Sequence, residues 1–231
     1  MRFEIIKNIE RDNNDLEYSR KLAEYGVATV CEAQGKTGVM LDYMRPIQHG
    51  VSVAGRAITV ECTAADNLMI HAALEICHKG DILVVSTPKE TRNGYFGELM
   101  ANSAMSKGVS ALIIDGGIRD SESIRKLKFP VWCKYIYAVG TTKKNPGNIN
   151  KEIKCGGIAI SGGDFVVADD DGVVVVKKEM LKSVIEKAQE RVEKEVITRN
   201  KIKSGELAID FYNLRPVLSE LGVEYTEKGD K

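Results

Sequence analysis

Neither sign of charge is in excess in this chain. Its 33 Lys and Arg residues meet 33 Asp and Glu, a formal net charge of zero at neutral pH. A phosphate backbone or an anionic membrane is held by clustered surplus positive charge, so nucleic acid and membranes are not expected partners. The basic clusters that occur, TTKKN (141–145) and VKKEM (176–180), are short and read as solvated surface. Long apolar runs are also missing, the longest being about half a dozen residues against the ~20 of a spanning helix. Cysteine is scarce. Cys31, Cys62, Cys77, Cys133 and Cys155 are odd in number, widely spaced and without a CxxC pair. That argues against a disulfide framework or a zinc site and for free, mostly buried thiols in a reducing compartment. The N-terminus MRFEIIKNIERDNN is too charged for a secretory signal, so a cytoplasmic location is expected.

Several catalytic signatures are missing too. There is no GxGxxG, no HxH or HExxH and no GxSxG, and the one GKT, at 35–37, lacks the glycine five residues earlier that a P-loop needs. Dinucleotide binding, a P-loop, a zincin site and nucleophilic acyl transfer therefore lack support. Of His49, His71 and His78, His71 lies within an otherwise apolar helix and reads as a core or interface residue. DDDG (169–172) has contiguous acids where a calcium loop needs alternating ones, so a hairpin turn between two apolar strands suits it better. The glycine pairs of SGGD (161–164) and DGG (115–117) read as turns.

What is present is an ordinary globular composition, 43% hydrophobic and 29% charged over 231 residues, enough for one large domain with a real core. Residues 15–34 predict two short helices broken near Gly26, with Thr29 or a neighbour capping the second. VSVAGRAITVEC (51–62) alternates as a strand does. DNLMIHAALEICHKG predicts a helix with Asp66 or Asn67 as cap and Gly80 as stop. DILVVS, VSALIID and PVWCKYIYAV read as buried strands, alternating with helices at GELMANSAMSKG and SESIRKLK. Apolar strands alternating with helices imply parallel pairing covered on both faces. After a polar loop, GTTKKNPGNIN, the stretch GGIAISGGDFVVADDDGVVVVKK predicts hairpins. A long amphipathic helix follows over about 178–204, with Leu181, Val184, Ile185, Ala188, Val192, Val196 and Ile202 mostly on one stripe. The tail 207–231 is expected to pack on the body or on a neighbouring subunit.

Two stretches carry candidate chemistry, GELM (97–100) and GGIRD (116–120), each following a strand. In such sheets ligands collect beyond the carboxyl ends of the strands, near helix N-termini. Glu98 opens one helix; Arg119 and Asp120 end the next strand. If those strands are parallel neighbours, all three converge with the free amides of the 97–100 turn. Arg119 offers a fork for a carboxylate, Asp120 an oxygen ligand for a hard cation such as Mg2+, and Glu98 a group that orients water or moves protons. The bland reading stands beside it: a structural salt bridge and a favourable first-turn acid.

These same stretches, with YGVATVCEA (25–33), VAGRAITVEC, DNLMIHAALEICHKGDILVV, GELMANSAMSKGVSALIIDGGIRD, CGGIAISGGDFVVADDDGVVVV and EKEVITRNKIKSGE, resemble the RraA-like family in order and spacing. That family includes 4-hydroxy-4-methyl-2-oxoglutarate / 4-carboxy-4-hydroxy-2-oxoadipate aldolases and related oxaloacetate decarboxylases. The resemblance covers most of the chain, from about residue 25 to 206. It implies an α/β fold like the β/β/α swivelling domain, a single domain with a long C-terminal helix, assembled as a homotrimer or a hexamer. The family's aldolases carry an acid, twenty residues and then Arg-Asp; here residues 99–118 make the same gap, and the acid is Glu98 in place of Asp. By resemblance Asp120 ligates Mg2+ or Mn2+ or another divalent cation. Arg119 and the amides of Leu99 and Met100, beside Gly97, hold the pyruvyl carboxylate. Glu195, or else Glu193, reaches the metal waters of a neighbouring subunit. The implied substrate is a 2-oxo acid, cleaved or decarboxylated through a pyruvate enolate. Two other readings stay open, a non-catalytic regulator of ribonuclease activity that binds a protein partner, and the same site acting on a sugar-acid-derived substrate. Substrate selection beyond the pyruvyl end falls to MLDYMRPI, TRNGYF or the tail.

Overall fold

The computed structural model describes residues 2–87 and 92–226, which fall into two compact units, one up to Gln189 and one from Glu190. The first unit opens with helix α1 (Asp15–Ala33), interrupted at Gly26, whose φ of 76° and ψ of 169° are not helical. The expected break is there. Its cap differs from expectation: the Val27 amide donates to Asp169 Oδ2 at 2.8 Å, so a distant turn does what Thr29 was expected to do.

A short strand β1 (Arg45–Pro46) precedes β2 (Val53–Glu61). Burial on β2 does not alternate; its first eight residues are all buried. Its polar members are hydrogen-bonded: Arg56 donates to Asp15 Oδ2 at 2.7 Å and to the Glu10 carbonyl, and Thr59 to the Lys151 carbonyl at 2.6 Å. Helix α2 (Leu68–Ile76) is capped by Asp66, whose Oδ1 accepts from the Leu68 amide at 2.9 Å. It ends at Ile76 because Cys77 is extended, ahead of the expected stop at Gly80.

The alternating region then runs β3 (Ile82–Ser86), β4 (Gly94–Phe96), α3 (Glu98–Ser106), β5 (Ala111–Ile118), α4 (Ser121–Leu127) and β6 (Val131–Ile136). Strand β4 is absent from the sequence expectation. After it come β7 (Asn148–Ile149), the hairpin β8 (Ile153–Cys155) and β9 (Ile158–Ile160), and the hairpin β10 (Phe165–Asp169) and β11 (Gly172–Val176). Strands β2, β3, β5 and β6 pair in parallel. The main sheet has the order β1-β6-β5-β3-β2-β10-β11, with β4 on β5 and β7 on β2. Asp169 pairs with Gly172, so DDDG is the hairpin turn expected of it.

The continuous apolar strands are buried on both faces, as parallel sheets require. Leu83, Val85, Leu112 and Ile114 enter the layer with α2, α3 and α4; their neighbours Ile82, Val84, Ala111 and Ile113 enter the opposite layer with Trp132 and both hairpins. Period two along the strand sends successive residues to opposite faces. A third cluster packs α1 and the start of α5 (Leu181–Lys203) on β10 and β11. Cys62, Cys77, Cys133 and Cys155 are buried free thiols and Cys31 is half-buried; burial pushes the Cys62 thiol up to about 12.

The second unit holds the rest of α5, then α6 (Ala208–Phe211) and α7 (Leu214–Glu220). Asp210 pairs with Arg215 at 2.5 Å, and the Lys201 ammonium lies 5.6 Å from the Phe211 ring centre. The apolar stripe of α5 is buried only at its start; Val196 and Ile202 are exposed. Residues 227–231 of the tail lie outside the described residues. Among those described, no helix is long and apolar enough to cross a membrane.

Candidate functional site

The candidate site forms where β5 hands the chain to α4. Strand β5 runs on through Gly116 and Gly117 to Ile118, three residues further than the sequence suggested. Gly117 is needed because β6 and the residue before β4 close in on both sides: a Cβ there would lie 2.5 Å from the Asn93 carbonyl and strike the Tyr135 ring. The β5–β6 register shifts at this point. The Arg119 amide then donates to the Phe96 carbonyl at 2.9 Å, tying the end of β5 to β4. Asp120 takes a left-handed backbone, φ 55° and ψ 32°, a conformation that Asp tolerates better than most residues.

This turn aims both side chains at the start of α3. The Glu98 amide donates to Asp120 Oδ2 at 3.2 Å, so the carboxylate caps α3 from outside the helix. An acid is favoured there by the unsatisfied amides and the helix dipole. Arg119 Nε lies 3.7 Å from the same oxygen, and both side chains are about half exposed, at 48% and 45%. Glycines crowd the arginine. A Cβ on Gly97 would lie 2.5 Å from Asp120 Oδ2 and 3.2 Å from Arg119 Nε, and one on Gly140 would lie 2.8 Å from Arg119 Nη1. The guanidinium thus occupies space that only glycine neighbours leave.

A cleft of about 180 Å³ opens here, lined by Gly97, Leu99, Met100, Arg119 and Asp120 on one side. Glu98 is adjacent, but its carboxylate turns along α3 to accept from Asn102 Nδ2. The Met100 amide is used by the Gly97 carbonyl at 3.1 Å; its side chain is buried while that of Leu99 is 80% exposed. Glu195 lies in the second unit, on α5, between Arg191 at 3.1 Å and Arg199 at 3.8 Å; Glu193 is on the same helix.

The opposite wall of the cleft was not foreseen. It consists of Asn67 just before α2, His71 on α2, and Thr141 and Lys143 from the loop after β6. His71 is not a core residue: it is exposed at the cleft. Partial desolvation, then the Lys143 charge, push its pKa below the ordinary 6.5. Lys143 of TTKKN is solvent-exposed as expected, yet it borders the cleft as well. Asn67 does not cap α2. It donates to the Tyr95 carbonyl at 2.8 Å and to Met100 Sδ at 3.3 Å, joining the two walls. No motif announces this wall, because it joins residues some seventy positions apart that only the folded loop brings together.

A larger cavity, about 690 Å³, lies between the N-terminal segment and the start of α5. Its two guanidinium groups are already engaged, Arg56 by Asp15 and Arg11 by Asp81. The smaller cleft is the better candidate, because its arginine and carboxylate sit at a strand end beside a helix N-terminus. Of the stretches expected to select substrate, TRNGYF lines the cleft with Gly94 and Tyr95, and its Asn93 donates to the Gly140 carbonyl at 2.7 Å; its Thr91 lies outside the described residues. In MLDYMRPI, Tyr43 donates to Asp115 at 3.0 Å.

Among the described residues no three His, Cys, Asp or Glu side chains gather as a metal cage. Asp120 does suit a cation of the Mg2+ type, which keeps several waters and takes only one or two carboxylates from the protein. Its carboxylate borders the cleft and is half exposed, leaving room for those waters.

Comparison with known proteins agrees with the architecture. A protein of Halalkalibacterium halodurans with the provisional name 4-hydroxy-4-methyl-2-oxoglutarate aldolase is 29% identical over 188 residues, 80% of this chain and 90% of that one. An uncharacterized protein of Methanocaldococcus jannaschii is 34% identical over 195 residues, 84% of this chain and 92% of the other. Streptomyces coelicolor RraAS2, described as an unusual member of the RNase ES inhibitor RraA protein family, superposes with a TM-score of 0.73 at 26% identity. That match covers 83% of this chain and all of RraAS2. A family model described as RraA-like, aldolase/RraA, matches residues 27–175, and the chain belongs to that family.

Proposed function

We propose that this protein is a divalent-metal-dependent lyase of the cytoplasm. It cleaves a 4-hydroxy-2-oxo acid by a retro-aldol reaction, or decarboxylates oxaloacetate, in both cases through the enolate of pyruvate. One observation carries the reading: Arg119, Asp120 and the N-terminus of α3 meet in a single cleft.

In either reaction the C3–C4 bond breaks and its electron pair passes to C3, delocalised onto the C2 oxygen. In the aldol case the C4 hydroxyl loses its proton and becomes a carbonyl; in the decarboxylation C4 leaves as CO2. Protonation of C3 then gives pyruvate. The charge that develops on the C2 oxygen needs preorganised positive partners. Arg119 supplies one, in the space that Gly97 and Gly140 leave open. The α3 N-terminus, with the Leu99 amide foremost, receives the pyruvyl carboxylate. Asp120 would hold the Mg2+ or Mn2+, which acts as a Lewis acid toward the keto oxygen. Glu98 moves the hydroxyl proton, after its carboxylate leaves Asn102. By family resemblance, Glu195 serves the site of a neighbouring copy in a trimer or hexamer.

A second reading has its own support, the similarity to RraAS2 of the RNase ES inhibitor family. On that reading the chain binds a protein partner and turns nothing over. Fold alone does not decide between them. Pyruvate release from oxaloacetate, measured after EDTA stripping with and without added Mg2+, separates the two. Metal-dependent release supports the lyase; its absence favours the binding protein.

A further inference from the structure

Asp66 is the least exposed acid near the cleft, at 1%, yet it is not among the residues that line it. Its carboxylate gathers donors from two separate pieces of chain. Oδ1 accepts from the Leu68 amide of α2 at 2.9 Å. Oδ2 accepts from Thr142 Oγ1 at 2.6 Å and from the amides of Lys144 and Asn145 at 2.7 and 3.1 Å. Two backbone bonds flank it, Asn67 to the Thr142 carbonyl at 3.0 Å and Thr142 to the Ala65 carbonyl at 2.9 Å. The far wall of the cleft is therefore knotted around one buried carboxylate. Hydrogen bonds to a charged group are the strong ones, and a buried acceptor deprived of its donors is costly.

The wall behind Arg119 is anchored separately. The Gly94 amide donates to the Val139 carbonyl at 2.7 Å and Asn93 to the Gly140 carbonyl at 2.7 Å, both from the β4 side. Loosening Asp66 would therefore move Thr141 and Lys143 without moving Arg119 or Asp120.

We propose that Asp66 is a positioning residue for the half of the substrate that lies away from Arg119 and Asp120. It acts by fixing Thr141 and Lys143 opposite them. The inference rests on the reading of the cleft as a 2-oxo acid site, and the test separates the two. Two probes are titrated calorimetrically in Mg2+ against wild type, Asp66→Asn and Thr142→Val. Oxalate, a planar mimic of the enolate, needs only the Arg119 side; 2-oxoglutarate extends across the cleft. Loss of the charged acceptor should weaken 2-oxoglutarate about tenfold, and loss of the Thr142 hydroxyl about threefold, with oxalate within about twofold throughout. In metal-free protein, hydrogen exchange at the Lys144 and Asn145 amides should quicken in Asp66→Asn. A merely structural role would weaken both probes together, and that result, or unchanged 2-oxoglutarate binding, overturns the inference. If Asp66→Asn does not fold, Thr142→Val decides alone. A wild type that binds neither probe overturns the reading of the cleft and the inference with it.

Discussion

The Glu98 amide and the Asp120 carboxylate, twenty-two positions apart in sequence, meet at 3.2 Å and join the first turn of α3 to the end of β5. This contact makes one cleft out of two motifs. It also gives Asp120 two duties, capping a helix and facing the cleft, so substitutions there must be read with both in mind.

Asp120→Asn keeps an oxygen acceptor for the Glu98 amide and loses the charge. Metal-dependent pyruvate release should fall to background while thermal stability stays close to wild type. Asp120→Ala should lose the same turnover with a lower Tm, because an N-terminal cap contributes about 0.5–2 kcal/mol. Arg119→Ala should lower kcat by about 10²–10³-fold, as for loss of one preorganised donor. Wild-type rates in both Asp120→Ala and Arg119→Ala would place the chemistry elsewhere.

Gly140→Ala tests the placement of the guanidinium without touching its charge. The new methyl would sit 2.8 Å from Arg119 Nη1, a flexible side-chain end, so Arg119 must yield while the backbone need not. Displacement by an ångström can cost up to about 10²-fold in rate. Steady-state kinetics should show a fall in kcat with little change in Tm, and a fall in Tm with unchanged kcat would refute the packing argument.

Asp169 holds the second half of α1 through the Val27 amide at 2.8 Å and its own turn through the Asp171 amide at 2.9 Å. Asp169→Ala should destabilise by about 1–2 kcal/mol in urea denaturation, in the range of lost caps. Thr29→Ala should be close to neutral, since the cap is not there. Equal losses in the two variants would contradict the assignment.

Asp66 also carries a pH signature. Burial pushes its carboxyl up, but bonds from Thr142, Leu68, Lys144 and Asn145 outweigh this and hold it below the ordinary 3.8. A lowered folded pKa means that the folded state binds fewer protons, so this contribution is present above 3.8 and is lost as pH falls through the folded value. The Tm difference between wild type and Asp66→Asn should therefore be full near neutral pH and shrink below about pH 4. A difference that grows on acidification would reverse the sign of the linkage.

Much of this molecule is legible in its sequence because burial on two faces leaves a plain mark. ILVV (82–85) and ALII (111–114) are apolar throughout, and they form the central parallel strands. Gly26 marks a real break, and DDDG a real turn. GELM lies at a helix start and GGIRD at a strand end, as read, since helix starts and strand ends are local features. What escaped depends on distance along the chain. Strand β4 is only three residues long and exists because β5 offers it an edge. His71 reads as a core or interface residue on an apolar helix, and it is the approach of Thr141 and Lys143 that makes that position part of a cleft wall. Of the two cap candidates, Asp66 and Asn67, it is Asp66 that takes the Leu68 amide, but its further bonds depend on donors near residue 143 that no local pattern predicts.

The most direct measurement is pyruvate formation from oxaloacetate by the purified protein, stripped with EDTA and assayed with and without Mg2+, alongside Asp120→Asn. The account predicts release that appears with the metal and is lost in the variant. Release that ignores both the metal and Asp120, or no release at all, would contradict it.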